Sequence, residues 1–391
     1  VAEQRGLADA SAVEQGAVAA AEIDEPVLLF LLRVDERVTP RSAIVRKRNL
    51  IRRRATDAAR ADDGKFFAAR DNPRMKNSAT GRAVRQPKSS GKKSGAPPAG
   101  KIHPVVIYPF RQPQDYADLE QLYQLIARLG AESETYAPPV TVMDRKTHYA
   151  NEGDKRFVSF RENTVAKHSK ILDAWGVDTC QMWYTGLGHA FEQGGENDVY
   201  WLIPGDFNYG STVGLEVLSR LHDLPEICVE LQQDLCIGEI ATDHNNPKQL
   251  IDTYGTFALL YNWFPAEAQA IRQYTERPRS EFFALRHGFL REVLRQRWYA
   301  YEQTVVMLLH AIFNNKRISQ FFVGHITDLP EGRESLASAM QQVERTESVL
   351  KTIWRERHQA KSGWAEQYRL LEGQSEQVRR TALILLQNLL G

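Results

Sequence analysis

Short apolar runs alternate with helical segments from His103 to Ile240, and this alternation constrains the fold more than any other feature of the chain. "HPVVIYPFRQ" carries the run Val105 to Tyr108 between prolines, the pattern of a buried strand. "DYADLEQLYQLIARLG" places Leu119, Leu122, Leu125, Ile126 and Leu129 on one helical face and stops at Gly130. "PPVTVMD" is a second short strand, ending in Asp144. "RENTVAKHSKILDAWG" reads as a helix with a glycine stop. "DTCQMWYTGLGHAFEQG" reads as another, with Asp178 as its N-cap. "DVYWLIPGD" is the next strand, "STVGLEVLSRLH" a helix and "DLCIGEI" a strand. Units of this size in this order predict an α/β fold: an open, mostly parallel sheet with helices on both faces. Beyond about residue 250 the pattern turns largely helical, with a strand at "ISQFFVG" that His325 follows, and no repeat of fixed period appears.

The first hundred residues differ from this body. From Arg41 to Lys101 there are eighteen Lys/Arg against four Asp, a surplus of fourteen. Against a whole-chain net charge of +1, the remainder is acidic by about thirteen, so a basic tail precedes an acidic body. "RQPKSSGKKSGAPPAGK" has the composition of a flexible linker. The expected organisation is a disordered basic tail and linker over 1–101, a folded α/β domain over 102–345 and a helical C-terminal extension over 346–391. The first Met is Met75, so one reading takes residues 1–74 as an over-extended gene prediction. "RKRNLIRRR" reads as a solvated, unstructured run or as a patch for nucleic acid or, peripherally, for anionic lipid; no specific nucleic-acid partner is expected. The runs "VLLFLL" and "TALILLQNLLG" are both far shorter than the roughly 20 residues needed to span a bilayer. The second is a candidate to cap a core, to pair two copies in a homodimer or to touch a membrane surface. Cys180, Cys228 and Cys236 form no CxxC pair and read as small buried hydrophobes, which suits a reducing cytoplasm.

In open α/β sheets ligands bind beyond the carboxyl ends of the strands. The first strand is followed by Pro109, Phe110 and Arg111, the second by Asp144, the third by Asp206 and Asn208, and the fourth by Glu239. The first βα turn lacks glycine-rich dinucleotide and P-loop fingerprints. "GLGHAF" sits inside a helical segment, where glycines serve close packing. No GxSxG elbow, HExxH or CxxC pattern supports a hydrolase triad or a zinc enzyme. One carboxylate at the end of one strand and another at the end of a later one suit a nucleotide-sugar site. The first accepts hydrogen bonds from base or ribose, and the second holds Mg²⁺ or Mn²⁺ against a diphosphate.

The segment Arg277 to Trp354 resembles the second half of family 2 GT-A glycosyltransferases, of the polyprenyl-phosphate (dolichol-phosphate-mannose) type. The matching residues are Arg279-Ser280-Glu281-Phe282, Tyr301-Glu302-Gln303, Arg317-Ile318 and Gly332-Arg333-Glu334-Ser335-Leu336. The front half follows the same order, and "VYWLIPGDF" stands where the family ends a strand in Asp-x-Asp. Here the first acid position holds Pro204, leaving Asp206 with Asn208 two residues on. The resemblance covers roughly residues 103 to 355.

It implies a metal-assisted, by default inverting, transfer of sugar from a GDP- or UDP-linked donor to a phosphate or hydroxyl acceptor. The acceptor would be a small phosphorylated molecule or a lipid phosphate. Pro109, Phe110, Arg111 and Asp144 would line the nucleotide pocket. Asp206 and Asn208 would hold Mg²⁺ or Mn²⁺, and His325 would complete that site or contact the diphosphate. Arg279, Ser280, Arg333 and Ser335 would bind substrate, the arginines by forked contacts to phosphate. Glu302 lies in the otherwise apolar "WYAYEQTVVMLLHAIF". Two roles stand open for it, a general base toward an acceptor hydroxyl or a structural clamp on Arg279. Two further readings are a nucleotidyltransferase, which would want a glycine in "PFRQPQDY", and a non-catalytic nucleotide-sugar-binding or scaffold protein, which the missing first acid favours.

Overall fold

The computed structural model describes residues 100–107, 115–144, 149–174, 179–205, 207, 209–242, 247–296, 302–326 and 336–390. Among them, seven strands form one sheet in the order β3-β2-β1-β4-β6-β5-β7. These are β1 (Ile102–Ile107), β2 (Val140–Asp144), β3 (Lys170–Ala174), β4 (Val199–Pro204), β5 (Leu235–Thr242), β6 (Phe283–Arg286) and β7 (Ile318–Ile326). All run parallel except β6, which lies antiparallel between β4 and β5. The sheet is mostly parallel and flanked by helices, as the alternation predicts.

The order follows from burial. Every residue of β1 and β4 is buried, because both sit inside the sheet with helices on either face. Trp201 and Tyr200 point to opposite faces of β4 and are both fully buried. Asp198 fixes the register at the start of these strands, accepting from Lys101 N and Gly195 N and bonding His103 Nε2, each at 2.8 Å. The helices are α1 (Asp115–Glu132), α2 (Lys155–Phe160), α3 (Thr179–Gln193), α4 (Thr212–Leu221) and α5 (Asp223–Glu230). They continue with α6 (Phe257–Trp263), α7 (Pro265–Arg272), α8 (His287–Leu294), α9 (Gln303–Phe313), α10 (Leu336–His358) and α11 (Trp364–Leu390). The α1 face read from sequence is the buried one, with Leu119, Leu122, Leu125, Ile126 and Leu129 in the core. Ser211 caps α4, accepting from Gly214 N at 2.9 Å. Gly186 of α3 is a close-packing glycine, since a Cβ there would lie 2.5 Å from Val105 Cγ1 and 2.6 Å from Val142 Cγ2.

Three readings of the sequence are corrected. "RENTVAKHSKILDAWG" is not one helix: a π-helical turn (Arg161–Val165) and a short helix (Ala166–His168) end at Ser169, and Lys170–Ala174 forms β3. The strand is at the sheet edge and half exposed, so it lacks the apolar alternation that marks a strand in sequence. Glu239 does not follow β5 but lies inside it, three residues before its end. The "largely helical" second half also carries β6, while the strand read at "ISQFFVG" is β7, which runs on through His325 to Ile326, and the two complete the sheet.

The C-terminal helices close over the second half. Trp263 Nε1 donates to Ser375 Oγ at 3.0 Å, and Ser375 Oγ donates to Glu347 Oε1 at 2.7 Å. Arg379 Nε lies 2.9 Å from Glu347 Oε2, joining α10 and α11 through one buried carboxylate. Ala382 and Leu386 of "TALILLQNLLG" are buried, while Ile384 and Leu389 are exposed. Among the described residues no helix is long and apolar enough to cross a membrane. Cys228 and Cys236 are buried free thiols, and burial pushes Cys236 up to about 11.

Candidate functional site

The parallel strands bring their carboxyl ends to one edge of the sheet, and β6 begins at that same edge because it runs the other way. The segment from Thr275 to Phe282 therefore lies where a ligand is expected.

On one half of this edge, Asp144 ends β2. It is buried, with a relative exposure of 7%, beside the end of β1 and across from Ala174 of β3. Of the other expected nucleotide-pocket residues, Pro109, Phe110 and Arg111 lie outside the described residues, as do the expected metal residues Asp206 and Asn208. The strand that leads to them is described to Gly205, whose backbone N donates to Ile107 O at 2.6 Å. Tyr209, just past this point, is buried, and its hydroxyl donates to Pro204 O at 2.6 Å. Gly205 is thus tied to β1, and the last residue of β4, Pro204, to Tyr209.

On the other half is a buried cluster of acids and arginines. Asp252, in a π-helical turn (Ile251–Thr256), is 1% exposed. Arg279 Nε donates to its Oδ1 at 2.6 Å, and Arg277 Nε lies 3.7 Å from its Oδ2. Arg279 also donates to Gln342 of α10. Glu302, at the start of α9, is 1% exposed and accepts from Arg345 Nε at 3.3 Å. Burial raises the Glu302 pKa above the ordinary glutamate range, opposed by the charges of Arg345 and Arg279. Glu239 of β5 accepts from Glu276 N at 3.1 Å, and burial pushes its carboxyl up to about 7. Ser280 closes the turn into β6: its backbone N donates to Arg277 O at 2.9 Å, and its hydroxyl accepts from Phe282 N at 3.5 Å.

The structure thus answers one question the sequence leaves open. The hydrogen-bonded partner of Glu302 is Arg345, and Arg279 acts on it only through its charge. Arg279 is clamped by Asp252 instead. Sequence reading missed Asp252, Gln342 and Arg345. Asp252 stands in "LIDTYG", where an acid among apolar residues is the available signal; Arg345 sits in a helix rich in charge, where nothing distinguishes it.

His325 lies near the end of β7, paired with Ala241. Two strands, β6 and β5, separate β7 from β4, or about 14 Å at the usual strand spacing. The structure therefore does not bring His325 to the end of β4. Arg333 and Ser335 lie outside the described residues.

Among the described residues, one group of acids and histidine has its ligand atoms close together: His222, Asp223 and Glu226 at the α4–α5 junction. Leu235, at the start of β5, pairs with Ile318, and Asp234 precedes it. The α5 helix ends at Glu230, ahead of that start, so the group belongs to the helical layer and not to the strand-end cluster.

No protein-family model matches the chain, and no curated protein matches it in sequence. Solved structures give similarities at low identity. One is glucosyl-3-phosphoglycerate synthase from Mycobacterium tuberculosis in complex with Mn²⁺, UDP and phosphoglyceric acid, with TM-score 0.43, 12% identity, 63% of this chain and 78% of that chain. The same enzyme with Mn²⁺, UDP-glucose and glycerol 3-phosphate gives 0.44, 13%, 64% and 80%. Mannosyl-3-phosphoglycerate synthase from Rubrobacter xylanophilus gives 0.44, 10%, 66% and 76%.

Proposed function

We propose that the chain is a glycosyltransferase that moves a sugar from a UDP- or GDP-linked donor to an acceptor, with the assistance of a divalent cation. The observation that carries this reading is the division of the strand-end edge. A buried carboxylate, Asp144, stands on the β1–β2 side, and a buried acid–arginine cluster stands on the β6–β5 side, with the β4 end between them.

In this reading Asp144, Pro109, Phe110 and Arg111 receive the nucleoside. Asp206 and Asn208, at the β4 end, would hold Mg²⁺ or Mn²⁺. An oxygen-donor pair fits a hard cation that keeps several waters and shares the diphosphate oxygens. When bound, the cation supplies charge neutralisation to the departing nucleoside diphosphate. The position of His325, three strands from β4, favours a contact to substrate over a place among the metal ligands. Arg279, Ser280, Arg333 and Ser335 orient the acceptor or the diphosphate, with Asp252 holding the Arg279 fork in one orientation.

In this reading Glu302 takes the proton from an acceptor hydroxyl. Its raised pKa brings it nearer to neutrality, where a general base works best. A phosphate acceptor is already anionic and needs no such base. The acceptor class proposed is a phosphorylated molecule, small or lipid-borne such as polyprenyl phosphate, that attacks either through a phosphate oxygen, with no base, or through a hydroxyl, with Glu302 taking the proton. The transfer is a single displacement: the acceptor oxygen bonds the anomeric carbon as the bond to the diphosphate oxygen breaks, and the nucleoside diphosphate leaves with that electron pair.

A crystal soaked with UDP or GDP and Mn²⁺ tests the reading. Nucleotide density beside Asp144, with its diphosphate directed toward Asp206, is the expected result. A nucleotide bound at another edge of the sheet overturns it.

A further inference from the structure

Glu239 is a carboxylate inside a core strand, a costly placement that neither the sequence nor the proposed transfer accounts for. Its Oε1 takes the backbone N–H of Glu276 at 3.1 Å, and the Thr275 hydroxyl also bonds the carboxyl. Its Oε2 is fully buried and has no hydrogen-bond partner among the described residues. The segment it grips is the one that carries Arg277 and Arg279 to the strand-end edge.

The groups facing it decide what its charge does. From that segment come the exposed Glu276 and the half-buried Arg277. From β7 the paired residue is the apolar Phe322, and the titratable group further along is His325, opposite Ala241. From the β6 side come Phe282 and Phe283, with Arg286 at the far end of that strand. Behind Arg277 stand Asp252 and Arg279. Arg277 is therefore the cation that Glu239 meets. When Glu239 is ionised, Arg277 has two anions, Glu239 and Asp252. When Glu239 is neutral, Arg277 and Arg279 share Asp252 alone, and the cluster carries an excess positive charge.

We propose that Glu239 is a proton-linked positioning residue: it holds the Thr275–Ser280 segment through the backbone and releases the charge of Arg277 to an incoming anion by taking up a proton. This rests on the reading that the arginines bind an anionic substrate group. Geometry supplies the coupling, since one carboxylate touches both the backbone of the segment and the field of its arginine. The position of its titration supports it, because a carboxyl that titrates at about 7 changes charge within the working range. By linkage, an anion that prefers the protonated form must raise the proton affinity of Glu239 to the same extent.

Inorganic sulfate, which does not titrate between pH 6 and 9, is the probe. Titration into the full chain is followed by calorimetry in two buffers of different ionisation heat. The expected result is uptake of up to one proton per sulfate and an affinity that falls about tenfold per pH unit above neutrality. The Glu239→Gln variant keeps the acceptor oxygen and is expected to bind sulfate with a flat pH profile. The buffer comparison on the unmodified protein reads the same coupling if that variant does not fold. Sulfate binding without proton uptake, or a pH slope retained in Glu239→Gln, overturns the proton link and leaves the proposed transfer standing. No sulfate binding at any pH overturns both the link and the anion role of the arginines.

Discussion

Replacing Asp252 by Asn removes the one carboxylate that two buried guanidinium groups share. The side chains of Arg277 and Arg279 are 12% and 13% exposed, and Asp252 is 2% exposed at its side chain. Arginine cannot shed its proton to escape burial, so the loss appears as an uncompensated charge. Removing one partner of a buried pair costs about 3–5 kcal/mol. Asparagine keeps an oxygen for the contact that Arg279 Nε makes at 2.6 Å, which places the expected loss near the lower end, about 3 kcal/mol. Urea unfolding followed by tryptophan fluorescence reads this directly. With a slope of about 3 kcal/mol/M, the midpoint should fall by about 1 M. Adding Arg279→Gln to Asp252→Asn removes one of the two stranded charges and should recover part of the loss. A loss below about 1 kcal/mol, the size of an exposed pair, would refute the claim that this cluster is buried and charged.

Other outcomes follow from the same structure. Gly186→Val drives a side chain into Val105 and Val142 and should cost about 1–3 kcal/mol, whereas Gly188→Ala meets nothing within 4 Å and should gain roughly 0.5 kcal/mol; thermal unfolding separates the two. Glu239 has a folded-state pKa of about 7 against an unfolded value of 4.5, so the folded state holds the extra proton. Stability should therefore be highest below about pH 4.5 as far as this group is concerned, and fall as pH rises to about 7, by about 3 kcal/mol in total. Glu239→Gln should remove that fall, and a pH-independent difference between the two proteins contradicts it. With a hydroxyl acceptor, Glu302→Gln should lower turnover by roughly 10²-fold or more, and the acid limb of the profile should lie above the ordinary glutamate range. Full turnover in that variant removes Glu302 from the chemistry.

Strands β1, β2, β4 and β5 and most of the helices between them were legible because these strands are buried in the sheet and these helices keep one apolar stripe. Leu202 and Ile203 are fully buried, and so is Leu122 of α1. Edge strand β3 was not, since "KILDA" pairs only with β2 and exposes Lys170 and Asp173 on opposite faces, so no apolar alternation marks it. β6 was missed because four residues, Phe283–Arg286, are too few to establish a period. At the site, Glu302 and Arg279 stood out as a lone acid in an apolar helix and an arginine in a resemblance. Asp252, Gln342 and Arg345 reach them from elsewhere in the chain, over 27, 63 and 43 positions, and no local pattern encodes such contacts.

The proposed cation-assisted nucleotide-sugar site lies at the end of β4 and depends on Asp206. The most direct test is calorimetric titration of UDP- and GDP-sugars with and without Mn²⁺, into the unmodified protein and into Asp206→Ala. Binding is expected to strengthen with Mn²⁺ and to lose that metal dependence in Asp206→Ala. Failure of every nucleotide sugar to bind in the presence of Mn²⁺, or metal dependence unchanged in Asp206→Ala, contradicts it.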